Sequence, residues 1–121
     1  MKGRDTVHAL FLVLNETEYL DDILTAFVDI GVKGATILDS QGMGRALLDN
    51  ENKQIPLFGS IKSFLNNSHP YNKTIFTILE DDALVDKVVQ TVKSILGDMS
   101  KPGVGLMFTV PIGKVYGMRD D

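Results

Sequence analysis

No cysteine occurs among the 121 residues. That absence excludes a disulfide framework, a thiolate metal site and a cysteine nucleophile. Histidine is scarce too: His8 lies on an apolar run and reads as structural, His69 precedes Pro70 in a loop, and two separated imidazoles do not make a metal site. Long apolar runs are missing. The longest, Ala9 to Leu14, is far short of the ~20 residues a membrane helix needs, and no signal-peptide pattern precedes it, so the cytoplasm is the expected compartment. Positive charge is not in excess either. A formal net charge of -4, with the acidic residues spread along the chain, argues against a general nucleic-acid binder. No Ser–His–Asp arrangement is readable and no carboxylate pair flanks a nucleophile, which points away from an enzyme. What is present is ordinary globular composition, 44% apolar and 23% charged, long enough for a single domain over residues 1–121 with its own core.

The order of patterns along the chain is a duplication. Thr6 to Leu14 is nearly all apolar and rich in branched residues, the signature of a central strand buried on both faces. Asn15 with Glu18 three residues later predicts a capping-box start for a helix on which Leu20, Ile23, Leu24, Phe27 and Val28 form one stripe. Gly31 is its expected stop, and Ala35 to Leu38 a short second strand. The unit then recurs. Lys73 to Leu79 reads as a strand, and Asp81 and Asp82 place negative charge at a helix N-terminus. Leu84, Val88, Val89, Val92, Ile95 and Leu96 form a second stripe ended by Gly97, and Leu106 to Val110 reads as the fourth strand. Two strand–helix–strand units in tandem, βαββαβ, predict an α+β ferredoxin-like sandwich: a four-stranded antiparallel sheet with two helices on one face.

That architecture leaves one sheet face without a helix. Yet the runs Ala9–Leu14 and Ile75–Leu79 carry apolar groups toward both faces. An uncovered apolar sheet face is rarely tolerated on a soluble monomer, so a homo-oligomer is expected. Between the two units, residues 39–72 form a central insertion too long for a passive connection. Within it, Leu57, Phe58, Ile61, Phe64 and Leu65 follow Pro56 at helical spacing and predict a short helix, while the polar stretch from Leu48 to Gln54 reads as its tip.

Glycine pairs mark the two places where bare backbone could receive an anion: Gly42-Met43-Gly44, followed by Arg45, and Gly103-Val104-Gly105. The segment from Gly31 through Thr36 to Arg45 resembles the second strand and loop base of nitrogen regulatory P-II (PII) signalling proteins. The segment Gly103 to Val110 is similar to the glycine loop and fourth strand of the same family. The resemblance runs through most of the chain in order. It implies a homotrimer with sheets facing inward, and ATP or ADP held in clefts between subunits; for this chain no cofactor is firm, with ATP, ADP, AMP or another nucleotide as candidates. It also implies that the central loop reports ligand status to a protein partner. On that resemblance Thr36, Gly42, Met43, Gly44 and Arg45 match one wall of the cleft. Gly103, Val104 and Gly105 match the phosphate-approaching loop, with Lys101 nearby. Arg119 matches a C-terminal phosphate contact.

The sequence also departs from the family. Leu106 stands where the family has a lysine, Gly117 where it has a second arginine, and Ala46 where it has a glutamine that helps hold metal and 2-oxoglutarate. The loop tip lacks the family's modified tyrosine; Tyr71 falls at the loop's far end. Charge-assisted hydrogen bonds contribute ~1.5–3 kcal/mol each, so losing two weakens nucleotide binding by orders of magnitude unless Lys101 and Lys114 compensate. The expected protein is therefore PII-like, with a small anionic ligand or a weakened nucleotide site. The alternative class is an oligomeric module like the CutA-type metal-tolerance trimers, for which the lack of cysteine and the scarcity of histidine are a poor fit.

Overall fold

A computed structural model describes residues 6–43, 71–101 and 103–118. Along the chain come β1 (His8–Leu14), a 3-10 turn (Thr17–Tyr19), α1 (Leu20–Ile30), β2 (Thr36–Gln41), β3 (Tyr71–Leu79), α2 (Asp82–Leu96) and β4 (Gly105–Pro111). The four strands form one sheet in the order β2-β3-β1-β4, and each neighbouring pair is antiparallel. This is the ferredoxin-like arrangement expected from the duplicated pattern. β2 extends to Gln41 and β3 begins at Tyr71, so the ends of the 39–72 insertion are strand. The helix expected after Pro56 lies outside the described residues.

Register assigns each side chain to a face. Leu12 pairs with Ile75 on one side and Met107 on the other, which places all three on the helix face. There Leu10, Leu12, Leu14, Ile75 and Leu79 meet Ile23 and Phe27 of α1 and Val88, Val92 and Leu96 of α2 in one buried cluster. Complete burial of one such aliphatic side chain contributes about 1.5–3 kcal/mol. The α1 stripe is narrower than its spacing suggests, because Val28 is 75% exposed on the far side of the helix.

Helix ends follow local chemistry with one exception. Gly31 adopts φ 97°, and the N–H of Val32 bonds the Phe27 carbonyl at 2.9 Å, a Schellman-type stop. Asp81 caps α2 by accepting the Leu84 N–H at 2.7 Å. An Asp81→Ala variant is expected to lose about 0.5–2 kcal/mol in urea unfolding, with an unchanged m-value. Asn15, however, caps nothing. Thr17–Tyr19 forms a 3-10 turn first, α1 starts at Leu20 without a side-chain cap, and the Asn15 Oδ1 instead accepts from Asn72 Nδ2 at 3.3 Å. A long-range amide partner has displaced the local capping bond. His8 also fits a structural role on β1, with Nδ1 3.1 Å from the Thr6 carbonyl oxygen.

No helix among the described residues is long and apolar enough to cross a membrane.

Candidate functional site

The open sheet face begins with a row of aromatics. Phe76, Phe11 and Phe108 occupy the same register position on β3, β1 and β4. Phe11 stacks on Phe108 with centroids 5.0 Å apart and planes 10° from parallel, and lies 5.7 Å from Phe76. Thr36 of β2 continues the same row. Around it Leu106, Phe108, Val110 and Leu38 are 58%, 42%, 40% and 49% exposed, so the face is apolar and carries no helix among the described residues.

At the loop-base end of this face the apolar row gives way to a polar cluster. Ser40 pairs with Asn72, bonds its side chain, and lies 2.8 Å from the Thr74 hydroxyl. Asn72 in turn holds Asn15. The exits of β1 and β2 and the entry of β3 are thereby tied together, and the Lys73–Asp39 ion pair adds a bridge on the other face. The central insertion therefore leaves from a cross-linked base.

At the opposite end of the row, a cavity of about 380 Å³ opens between the start of β2, the end of β3 and the segment after β4. Its walls are Lys33, Gly34, Ala35 and Thr36, then Phe76, Thr77 and Ile78, then Val115, Tyr116, Gly117 and Met118. Thr77 secures this corner: its side chain is buried, and its hydroxyl donates to the Gly34 carbonyl at 2.5 Å. The post-β4 segment is pinned at its start by the Ile112 N–H, 3.0 Å from the Val7 carbonyl oxygen. Tyr116 stands at the rim with 84% of its surface exposed.

A second cavity of about 470 Å³ lies beyond the end of α2, lined by Lys101, Gly103 and Val104 together with Glu16, Tyr19 and Asp98. Two hydrogen bonds from Ser100, through its hydroxyl at 2.6 Å and its N–H at 3.0 Å, hold the Asp98 carboxyl below its ordinary 3.8. The cavity is thus lined by two acidic side chains, Glu16 and Asp98, and one basic side chain, Lys101.

The structure brings together only some of the sequence-predicted site residues. Thr36 joins the first cavity; Lys101, Gly103 and Val104 join the second. Gly42 and Met43 follow β2 directly, with Met43 68% exposed, and Gly44, Arg45 and Arg119 lie outside the described residues. Gly105 opens β4 opposite Leu14. Since β2 and β4 are opposite edges of the sheet, Thr36 and Gly105 are separated by three strand spacings, about 14 Å, before any offset along the strands. Sequence reasoning missed Lys33, Phe76, Ile78, Val115 and Tyr116 as cavity residues. Each looks like an ordinary strand or loop residue until the chain's far end is folded across β3 and β2.

The sequence profile of the family described as nitrogen regulatory protein P-II matches residues 10–121. No curated protein matches the sequence. Among solved structures, the chain is similar to Arabidopsis thaliana PII bound to citrate, with 16% identity and a TM-score of 0.58. That match covers 89% of this chain and 78% of the other. At that identity the likeness speaks for the fold.

Proposed function

The chain belongs to the nitrogen regulatory protein P-II family, and we propose that it is a cytoplasmic, single-domain regulatory protein that assembles as a homotrimer. In this reading it binds a small anionic ligand or nucleotide in clefts between subunits. The central insertion passes the bound state to a protein partner by changing its conformation. One observation carries the reading: the two groups of candidate residues sit on opposite edges of one sheet. Thr36 borders the first cavity, whereas Lys101, Gly103 and Val104 border the second. A small ligand cannot span both within one chain. A ring of subunits that presents the β2 edge of one copy to the β4 edge of the next places them in one cleft, and such heterologous contacts close into cyclic oligomers. The exposed Leu38, Leu106, Phe108 and Val110 give that assembly its apolar surface.

Within the cleft, the first cavity supplies an aromatic and aliphatic wall for a ring. The glycine loop of the next subunit supplies backbone N–H groups and Lys101 for an anionic group. Leu106 beside the glycine loop and Gly117 in the wall of the first cavity leave the cleft poorer in cations than in the family, so affinity for a nucleoside triphosphate is expected to be modest. The relative's citrate makes a small polycarboxylate a sensible probe beside the nucleotides. Thermal-shift measurements with ATP, ADP, AMP, 2-oxoglutarate and citrate test the reading. Stabilisation by at least one anion, abolished by Arg45→Ala, is expected. Stabilisation by divalent metal alone would overturn it.

A further inference from the structure

Lys33 is the only charged side chain among the described residues that line the first cavity. It shares that lining with Gly34, Ala35 and Thr36 and with the apolar residues Phe76, Ile78 and Val115. An ammonium at the edge of an apolar-walled cavity fits a ligand that combines a ring with negative charge. In the structure Lys33 Nζ lies 3.5 Å from Glu80 Oε1, just past the end of β3, with the two side chains 37% and 48% exposed. So exposed an ion pair is weakly held, contributing about 1 kcal/mol or less.

We propose that Lys33 is the charge-reading residue of this cavity, exchanging Glu80 for the negative charge nearest the ring of a bound ligand, while the glycine loop of the next subunit serves charge farther from it. Glu80 is then a competitor that the ligand's charge displaces, and selectivity for charged over neutral ligands draws on this exchange. The inference rests on the reading of the cavity as part of the ligand cleft. It goes further by assigning charge discrimination to a residue outside the glycine loops.

Calorimetric titration with ADP, AMP and the uncharged adenosine tests it on wild type, Lys33→Met, Lys33→Arg, Glu80→Gln and the Lys33→Met/Glu80→Gln double variant. Lys33→Met is expected to weaken ADP between about ten- and a hundredfold, the range of one charge-assisted hydrogen bond, while changing adenosine by less than about twofold. Lys33→Arg should retain most of the ADP affinity. Glu80→Gln should tighten ADP by up to about fivefold and leave adenosine alone. With Lys33 already gone, Glu80→Gln should have no further effect. ADP binding unaffected by Lys33→Met, or an equal loss for adenosine, would overturn the inference and leave the ligand-cleft reading standing. A weaker ADP complex in Glu80→Gln would also overturn it, since Glu80 would then support binding. If none of the three compounds binds wild type, this inference falls, while the ligand-cleft reading is decided separately by the thermal-shift response to citrate, 2-oxoglutarate and ATP.

Discussion

Phe108→Glu is expected to turn the assembled protein into folded monomers. Phe108 is 42% exposed in the single chain and, from the edge strand β4, stacks on Phe11 across the open face. Its side chain reaches out of the sheet, away from the cluster of Leu12, Ile75 and Val92, so a carboxylate there can be hydrated in a monomer. At a subunit interface the same carboxylate would be desolvated without a partner, which costs several kcal/mol per copy, and every copy carries one. Sedimentation velocity should show the wild type at three times the mass of the variant, with matching far-UV circular dichroism. The fold of the single chain explains why the sheet survives: the helix face alone holds the buried cluster. A wild type that sediments as a monomer, or a variant that remains trimeric, would refute the assembly and with it the cleft between subunits.

Gly105→Ala is expected to destabilise the protein by about 1–3 kcal/mol with no ligand present, the range for forcing an extra carbon into packed surroundings. A Cβ built at Gly105 would stand 2.8 Å from the Val13 carbonyl oxygen, a backbone atom that cannot rotate away. Its φ of 157° adds a conformation that side chains rarely adopt. The strand must therefore shift or the pairing with Leu14 must loosen. Chemical denaturation measures the loss, and Gly113→Ala is the control. A methyl group added at Gly113 would meet no atom within 4 Å and needs no positive φ, so that variant should behave within about 0.5 kcal/mol of wild type. Equal stabilities for the two variants would show that β4 gives way at no cost. The comparison separates two reasons for a glycine in this loop. Gly103 borders the second cavity, while Gly105 is already required by the close approach of β1.

Sequence alone reached the element order because each signal was local. Alternating or continuous apolar residues, an Asp81 cap and a Gly31 stop depend on neighbours within a turn or two. The Asn15 cap failed for the converse reason: its side chain is taken by Asn72, 57 residues away, which no local pattern announces. Val28 failed because a helical stripe gives an angle and not the width of the surface facing it.

The same division holds for the site. The glycine pairs and Thr36 could be marked as candidates from the sequence, since bare backbone beside a strand is a local feature, and the apolar residues of β1 and β3 gave the expectation of a second covering surface. That Thr36 and Gly105 stand at opposite edges of the sheet was not legible, because edge position depends on strand order and strand order is set by packing between elements. Nor was the first cavity, whose walls come from residues 33–36, 76–78 and 115–118. Composition and periodicity determined a duplicated α+β sheet with apolar residues on both of its faces. Only the tertiary structure decided that Lys33, Phe76 and Tyr116 share a cavity, because their proximity follows from a chain reversal that pairs β4 with β1 and carries its C-terminal continuation to the β2 edge.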